Sequence, residues 1–396
     1  MRIFWFCIPA HGHTNPSIEV VRELVRRGHD VRYYSFEDFR AKIEETGADF
    51  VPCDRFLTPI DAKTEKRLRK VSTTEMSIRS FETTASMDAT IARDVETLRP
   101  DLVVSDSACF WGKLTAIKYG LPMVCSTTTF AFNEQSSQYM KLSAAELADM
   151  ILALPRLTHA MKKLHPLGYR VKSPLDIVRS KPDEDTIVYT SRGFQPCAES
   201  FDSAHYRFVG PSLRPVEPRE KTGRPLVYVS LGTVINDHPD FYRNCIEALR
   251  GQDVDLLISC GTAFDPAQLD PLPENAQVAQ SVDQLDVLSR TGLFITHCGM
   301  NSASEGLVLA VPELLFPLTS EQWAVARRVA ETGAGRLLSK ETAASPEALR
   351  AAILDALADE TLREAAARMR EDLRSCGGAK AAADFIEEVA AKAAKA

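Results

Sequence analysis

Short apolar runs alternate with helical segments along this chain, and the alternation comes in two blocks. In the first block, residues 3–8 form an apolar run typical of a β-strand, and a helical pattern follows with Asn15 as N-cap, Pro16 at its first position and Gly28 after its end. Further strands are predicted at residues 30–36, 101–105, 122–126, 186–190 and 205–209. Strands separated by helices pair in parallel, so this block predicts a doubly wound α/β sheet.

The second half of the chain resumes the same alternation. Strands are predicted at residues 226–231, 255–259, 276–279, 293–296 and 312–316. Helices are predicted between them and beyond, at residues 345–358 and 361–375. This half therefore predicts a second doubly wound parallel sheet.

The stretch between the two blocks has the composition of an exposed linker. Four prolines fall within residues 210–225, among alternating charges. We predict an N-terminal domain at residues 1–212, a linker at 213–224 and a second domain at 225–378. Residues 55–98 and 130–180 carry helical patterns without clear strands, and we expect them to be insertions on the rim of the first sheet.

The last segment, residues 379–396, is rich in alanine and predicts one more helix. Phe385, Ile386 and Val389 fall on one side of it, so it needs a surface to pack against. We expect this helix to cross back to the N-terminal domain.

Composition excludes several classes of protein. The formal net charge is −7 over 396 residues, which argues against a general phosphate-backbone binder. No apolar run approaches the roughly 18 residues of a membrane span, and the start of the chain lacks a convincing signal peptide, so we expect a cytoplasmic protein. The nine cysteines are scattered without C-x-x-C spacing, which indicates neither disulfides nor zinc.

The most informative motif is THCGMNSASEG at residues 296–306, at the end of a predicted strand. A glycine turn that opens a helix presents unpaired backbone N–H groups and the positive end of the helix dipole, which suits a phosphate or diphosphate. The alternative is that Ser302 and Glu305 form an ordinary capping box and His297 is a turn residue. On spacing alone the two interpretations stay open.

The segment SLGT at residues 230–233 ends the first strand of the second block, at the edge where open α/β sheets bind ligands. Its glycine permits close approach of a ligand, but for this motif taken alone a plain strand-to-loop turn is the favoured interpretation. The chain contains neither the G-x-G-x-x-G pattern nor a P-loop, so the standard dinucleotide and P-loop interpretations lose support.

A third motif, His11-Gly12-His13, follows the first strand, and Asp106 follows the strand at residues 101–105. Both loops are expected at the same sheet edge, where a carboxylate on one ring nitrogen leaves the other nitrogen as a general base. The alternative is a loop histidine with an unrelated capping aspartate. No G-x-S-x-G elbow is present, so covalent hydrolase chemistry has no visible nucleophile.

A metal site is not predicted. Asp253 and Asp255 match the D-x-D pattern of metal-dependent sugar transferases, but they precede their strand and are expected at the opposite sheet edge. The histidines at 29, 159, 165, 205 and 238 share no spacing typical of metal ligands.

Together these motifs resemble family 1 glycosyltransferases, the nucleotide-sugar-dependent enzymes of GT-B fold, and within them the bacterial macrolide glycosyltransferase group. The matching segments run along nearly the whole chain: PAHGHTNP at 9–16, LVVSD at 102–106, FVG at 208–210, SLGT at 230–233, QLDVL at 284–288, HCGMNSASEGL at 297–307 and SEQ at 320–322. The resemblance implies two Rossmann-like domains facing each other across a cleft, the first for the acceptor and the second for the donor.

The resemblance also implies residue roles. His13 matches the catalytic base and Asp106 the aspartate that orients it. The donor-binding positions are Thr233, Gln284, His297, Gly299, Asn301, Ser302, Glu305, Glu321 and Gln322. Of these, His297, Asn301 and Ser302 match diphosphate ligands, Glu305 and Gln284 match ribose contacts, and Glu321 and Gln322 match the pair that binds sugar hydroxyls.

Two positions depart from the family pattern. The segment whose Trp stacks on the donor base in many members contains Ser281 here, which leaves the choice between uracil and thymine open. Met300 replaces the Trp of the plant pattern, which fits a bacterial member.

The reaction implied is metal-independent, inverting transfer of a hexose from a UDP-sugar, with UDP-glucose expected, to a hydroxyl of a macrolide, flavonoid or other phenol, without a resident cofactor. The aromatic residues proposed to line the acceptor pocket are Phe81, Phe110, Trp111, Phe130 and Phe132; ordinary core packing is the alternative for each. A nucleotide-sugar epimerase of the same architecture and a non-catalytic nucleotide-sugar binding protein are the competing functions. The oligomeric state stays open.

Overall fold

The structure is a computed structural model that describes residues 1–57, 73–140, 144–171, 181–219, 223–233, 236–262 and 264–395. The chain divides into two compact units. The first unit contains residues 1–212 and 376–396, and the second unit contains residues 213–375.

The first unit is built on a parallel sheet. Its described strands are β1 (Arg2–Phe6), β2 (Asp30–Ser35), β3 (Asp49–Pro52), β4 (Leu102–Asp106), β5 (Met123–Thr127), β6 (Thr186–Val188) and β7 (Tyr206–Phe208). They lie in the order β3-β2-β1-β4-β5-β6-β7, and each pairs in parallel with its neighbours. Residues 3–6 of the central strand β1 are fully buried, because helices cover both faces of a sheet of this kind.

The described helices of the first unit are α1 (His11–Arg26), α2 (Arg40–Glu44), α3 (Thr73–Leu98), α4 (Phe110–Tyr119), α5 (Ala144–Lys162) and, at the end of the chain, α13 (Gly378–Ala393). Short 3₁₀ turns occur at Glu37–Phe39, Asp54–Phe56, Ser136–Tyr139, His165–Leu167 and Ala198–Ser200. Helix α13 packs on α1 and buries Phe385, Ile386 and Val389, the apolar side that the sequence predicted.

The second unit contains a second parallel sheet. Its described strands are β8 (Leu226–Ser230), β9 (Asp255–Ser259), β10 (Ala276–Ala279), β11 (Leu293–Thr296), β12 (Glu313–Leu315) and β13 (Gly335–Leu337), in the order β10-β9-β8-β11-β12-β13. Its described helices are α6 (Pro239–Leu249), α7 (Gln284–Leu288), α8 (Met300–Val308), α9 (Ser320–Thr332), α10 (Lys340–Ala344), α11 (Pro346–Ala358) and α12 (Glu360–Ser375), with a 3₁₀ turn at Pro266–Leu269. The two-sheet α/β class predicted from the sequence is confirmed.

The start of α1 corrects one prediction. The sequence placed the N-cap at Asn15, but the helix begins at His11 with Ala10 as N-cap, and Pro16 lies inside it. The Asn15 amide oxygen instead accepts a hydrogen bond from Lys42 Nζ at 2.9 Å. Consequently the His11-Gly12-His13 segment is the first turn of a helix rather than a loop.

Two strands, β3 and β13, were not predicted, and both lie at the edge of a sheet. The two predicted rim insertions contain the long helices α3 and α5, while residues 58–72, 141–143 and 172–180 of those insertions lie outside the described residues. The nine cysteines are free thiols, seven of them buried. Within the described part of the chain, none of the helices has both the length and the apolar character needed to cross a bilayer.

Candidate active site

His13 and Asp106 meet at the carboxyl edge of the first sheet. Strands β1 and β4 are parallel neighbours, so the residues that follow them emerge side by side. His13 lies in the first turn of α1, after β1, and Asp106 is the last residue of β4. The His13 Nδ1 atom is 2.7 Å from Asp106 Oδ2. The structure thus brings together the imidazole and the carboxylate that the sequence predicted at one edge.

The Asp106 carboxylate is fixed on both oxygens. Its side chain is 1% exposed, and Oδ1 accepts a hydrogen bond from the backbone N–H of Ala108 at 2.9 Å. A carboxylate can only accept, so the His13 proton that faces it belongs on Nδ1, and Nε2 becomes the basic nitrogen of the ring. His13 itself is 22% exposed, which leaves part of the ring accessible to a substrate.

A hydroxyl that the sequence gave no reason to single out completes this cluster. Thr128 follows β5, the neighbour of β4, and its Oγ1 is 3.1 Å from His13 Nδ1. The hydroxyl therefore shares the Nδ1 proton with Asp106 and helps to fix the ring orientation. Its place directly after β5, at the same sheet edge, does not by itself distinguish this hydroxyl from the other polar residues of that loop.

The aromatic residues predicted near the acceptor lie in several packed clusters. Phe81 and Phe110 pack with their rings tilted by 53° and the centroids 5.2 Å apart, in a buried cluster with residues of α5. Trp111 belongs to the main core of the first unit, and Phe130 packs on Phe194 at 5.5 Å. Phe132 alone of the five is partly exposed. Four of these positions therefore have the burial that core packing requires.

In the second unit, the His297 imidazole sits between two glycines. A Cβ at Gly232, which follows β8, would lie 2.5 Å from His297 Nε2, and a Cβ at Gly299 would lie 2.6 Å from the same atom. Gly232 also has a φ of +80°, which side chains other than glycine rarely adopt. The two glycines therefore make the space in which the ring lies.

Burial determines the charge of His297. The surrounding protein lowers the pKa of this imidazole to about 4, with the backbone of Ser230 acting weakly in the opposite direction. Its Nδ1 is buried and, among the described residues, has no hydrogen-bond partner. At neutral pH the ring is uncharged, so it can offer a ligand a neutral N–H donor but not a cation.

Helix α8 begins directly after this imidazole. Its N-cap is Gly299, and no side chain among the described residues caps it. The alternative interpretation of Ser302 and Glu305 as a capping box is therefore wrong, because both residues lie inside the helix. The N–H groups of the first turn, around Asn301 and Ser302, have no acceptor within the helix and present positive partial charge at the carboxyl edge of the sheet.

Glu305 is engaged by Gln284 instead. The Gln284 amide nitrogen donates to Glu305 Oε2 at 2.6 Å and approaches Ser302 Oγ at 3.3 Å, while the hydroxyl of Tyr228 donates to Gln284 Oε1 at 3.1 Å. This network joins the start of α7 to α8, at Ser302 and, one turn further from the N-terminus of α8, at Glu305. Tyr228 is a contributor that sequence reasoning missed.

Glu321 and Gln322 lie in the first turn of α9, which follows β12. Gln322 Oε1 accepts hydrogen bonds from the backbone N–H groups of Leu318 and Thr319 at 2.8 and 3.1 Å, as part of a capping box. Its amide nitrogen is therefore the group it can direct at a ligand. Glu321 is exposed, as is Thr233 in the turn after β8.

The D-x-D pair has a structural partner in this unit. Arg224 Nε is 3.0 Å from Asp253 Oδ1, and its Nη1 is 3.7 Å from Asp255 Oδ1. Asp255 is the first residue of β9 and Asp253 precedes it, so both lie at the opposite edge of the parallel sheet from His297, which follows the carboxyl end of β11.

Comparison with known proteins places this geometry in context. The family model "Erythromycin biosynthesis protein CIII-like, C-terminal domain" matches residues 245–388. The chain is 36% identical to the NDP-glycosyltransferase YjiC of Bacillus licheniformis, over 98% of this chain and 97% of that protein. It is 34% identical to the demethyllactenocin mycarosyltransferase of Streptomyces fradiae, over 99% of this chain and 87% of that protein.

Solved structures of glycosyltransferases have the same fold as this chain. The crystal structure of the glycotransferase of kitacinnamycin superposes with a TM-score of 0.82 and 28% sequence identity, covering 98% of each chain. That of CalG4, the calicheamicin glycosyltransferase, superposes with a TM-score of 0.78 and 30% identity, again covering 98% of each chain.

Proposed function

The chain belongs to the macrolide group of family 1 glycosyltransferases, and from this premise we propose that it transfers glucose from UDP-glucose to a hydroxyl of a hydrophobic small molecule, with His13 as the general base. Enzymes of this group use nucleotide-sugar donors and small-molecule acceptors, and the chain has the GT-B fold. The observation that carries the proposal is the 2.7 Å contact between His13 Nδ1 and the buried Asp106 carboxylate.

The base step uses Nε2, the ring nitrogen of His13 that does not face Asp106. His13 Nε2 takes the proton of the acceptor hydroxyl as its oxygen forms a bond to the anomeric carbon of the donor sugar. The bond from that carbon to the nucleotide diphosphate breaks on the opposite face, so the configuration at the carbon inverts. Asp106 stabilises the imidazolium that forms, and the proton then passes to solvent.

The donor-binding role falls to the second unit. The N–H groups at the start of α8, together with the neutral His297 ring, suit a diphosphate whose negative charge grows as it leaves. Glu305, held by Gln284, suits the hydroxyls of a ribose, and Glu321 with the Gln322 amide nitrogen suits those of the sugar. These groups supply the electrostatic stabilisation of the leaving group from the protein itself, so we propose that no metal ion takes part.

The acceptor is proposed to be a macrolide, a flavonoid or another phenol. The name of the Streptomyces fradiae relative assigns a mycarosyltransferase activity on demethyllactenocin to that protein. Phe132 keeps partly exposed aromatic surface in the first unit and is the first choice among the five predicted acceptor residues. Nine free thiols favour a reducing compartment, and we place the reaction in the cytoplasm.

The test is a set of incubations of the protein with UDP-glucose and with TDP-glucose, each with a macrolide and with a phenolic flavonoid. The expected product is the acceptor with the mass of one added hexose. A change in the sugar nucleotide without an acceptor product would support an epimerase, and binding without any product would support a non-catalytic protein. Either of these outcomes would overturn the proposal.

A further inference from the structure

The segment at residues 281–284, before and into α7, contains no aromatic side chain, but a planar cation lies against it. We propose that the guanidinium of Arg214 stacks on the pyrimidine base of the donor nucleotide and makes the site tolerant of both uracil and thymine. The proposal rests on the proposed function, in that the second unit must bind the nucleotide.

The guanidinium of Arg214 is held in place by a neighbour in the same unit. Arg214 Nη2 lies 2.6 and 2.7 Å from the two carboxylate oxygens of Asp283. Asp283 is itself anchored as the N-cap of α7, where it accepts a hydrogen bond from the backbone N–H of Asp286 at 3.2 Å. Pro215 follows Arg214 and restricts its backbone to extended conformations. The ion pair therefore keeps the guanidinium beside the start of α7.

The connectivity of a nucleotide places the base beside this cation. The diphosphate is assigned to the first turn of α8, and the ribose to Glu305, one turn further along that helix. Gln284 contacts Glu305 at 2.6 Å and is the residue that directly follows Asp283. A base joined to that ribose, on the end remote from the diphosphate, extends past Gln284 toward Asp283 and the cation that Asp283 holds.

The chemistry of the ion pair favours the base over the phosphates as its ligand. Burial raises the pKa of Asp283, but the backbone N–H of Asp286 and the Arg214 guanidinium act more strongly together and hold that pKa below its ordinary value. Asp283 is therefore charged at neutral pH and offsets the charge of Arg214, which reduces the attraction of the pair for a diphosphate. The flat faces of the guanidinium stay available, because the ion pair uses one nitrogen and the side chain is 46% exposed.

Guanidinium planes stack on nucleic-acid bases through dispersion and cation–π attraction. Such a contact reads the face of a ring rather than its edge, so it does not distinguish a pyrimidine with a C5 methyl group from one without. This is the reason to expect tolerance of uracil and thymine from Arg214, in contrast to a hydrogen bond to a base edge.

A second ion pair on the same stretch of chain supplies the control. Arg219 pairs with Asp286, and its backbone N–H donates to the Ser289 carbonyl at 2.7 Å. This pair ties the same segment to the same helix α7, but it involves a later residue of that helix. Removing it tests what the loss of a tether alone does to nucleotide binding.

The experiment is calorimetric titration of the full chain with UDP, TDP and pyrophosphate, for the wild type and the variants Arg214→Ala, Arg214→Lys and Arg219→Ala. We expect wild-type dissociation constants for UDP and TDP within about threefold of each other, and about tenfold weaker binding of both in Arg214→Ala. Arg214→Lys should lose as much, because it keeps the charge without the plane. Pyrophosphate binding should not change, and Arg219→Ala should stay within about twofold of wild type for every ligand.

Several results would overturn the role of Arg214. They are unchanged UDP binding in Arg214→Ala, retained binding in Arg214→Lys, and equal losses in Arg214→Ala and Arg219→Ala. Should Arg214→Ala misfold, Arg214→Gln replaces it, with the same expected loss. A wild type that binds pyrophosphate but neither nucleotide would overturn the proposed donor class itself, a result distinct from a failure confined to the Arg214 variants.

Discussion

Gln284 donates a hydrogen bond of 2.6 Å to Glu305, although the two residues are 21 positions apart and belong to different helices. The side-chain amide of Gln284 is held in this orientation, because its oxygen accepts a hydrogen bond from the Tyr228 hydroxyl at 3.1 Å. The Glu305 carboxylate is thus oriented by the protein before any donor binds, and preorganisation of this kind lowers the entropic cost of binding a ligand.

Replacing Glu305 with Ala tests its assignment to the ribose. We expect the KM for the donor to rise about 10- to 100-fold, because hydrogen bonds from the ribose hydroxyls to a charged carboxylate are lost. We expect kcat to stay within about threefold, since these bonds are made equally in the ground state and the transition state. Steady-state kinetics with varied donor concentration measures both values. Pyrophosphate inhibition is the control and should not change; an unaltered donor KM would contradict the assignment.

The lowered pKa of His297 predicts that the free energy of unfolding falls in acid. Burial lowers its pKa from 6.5 to about 4, so below pH 6.5 the unfolded chain binds a proton that the folded chain does not. The free energy of unfolding should therefore fall as the pH drops from 6.5 toward 4, by about 3 kcal/mol from this group. Urea denaturation at pH 6.5 and 4.5 should show a smaller loss in His297→Gln than in wild type. Equal losses would show that His297 is not the group that takes up the proton.

The raised pKa of Glu313 predicts the opposite trend, a loss of stability as the pH rises. It is the first residue of β12, the strand next to the edge strand β13 in the second sheet. Its side chain is fully buried, and neither carboxylate oxygen has a hydrogen-bond partner among the described residues. Gly306 makes room for it, because a Cβ there would lie 2.5 Å from Glu313 Oε1. Burial raises the pKa of this carboxyl well above 4.5, so the folded chain keeps a proton that the unfolded chain releases. Its contribution to stability is complete below pH 4.5 and is lost as the pH rises toward the folded pKa.

Glu313→Gln keeps the shape of the protonated acid and removes its titration. We expect the Tm of this variant to exceed that of wild type, with a gap that widens from pH 5 to pH 8. Each kcal/mol of difference in the free energy of unfolding should shift Tm by about 2–4 °C. Scanning calorimetry across that range measures the gap. A constant difference between the two proteins would mean that the folded and unfolded chains bind the same number of protons at Glu313, so that its pKa is not raised by folding.

Chelation tests the proposal that the protein alone stabilises the leaving diphosphate. Because Asp253 and Asp255 are paired with Arg224, and the proposed diphosphate contacts are N–H donors, transfer should continue in excess EDTA within about twofold of its normal rate. The rate of glucoside formation is followed by chromatography. Loss of activity that Mg²⁺ restores would contradict metal independence.

Most of the strands that the sequence predicted have buried apolar runs, such as β1 and β4 in the centre of the first sheet, although the edge strands β7 and β10 were predicted as well. The two other edge strands, β3 and β13, were missed, and both are short with two exposed residues each, Asp49 and Pro52 in one and Arg336 and Leu337 in the other. An edge strand needs only one apolar neighbour, so its sequence carries little of the pattern that identifies a buried strand.

The candidate site likewise contains features that the sequence predicted and features that it did not. The meeting of His13 and Asp106 was predictable because parallel neighbours place their carboxyl ends together. The start of α1 was not, because Asn15 and Pro16 form a local start signal that tertiary contacts override. Thr128 and Arg214 were also out of reach, since a hydroxyl or a guanidinium acquires its role only from the side chain that folding places beside it.

The most direct test of the account is the turnover of His13→Ala beside His11→Ala. His11 is the matched control: it lies in the same turn, is exposed and packs edge-on to Phe39 at 5.0 Å rather than on a carboxylate. We predict that His13→Ala lowers kcat for glucoside formation about 100-fold or more while UDP still binds within about threefold of wild type, and that His11→Ala stays close to wild type in both. Undiminished turnover in His13→Ala, or equal losses in the two variants, would contradict the assignment of His13 as the base.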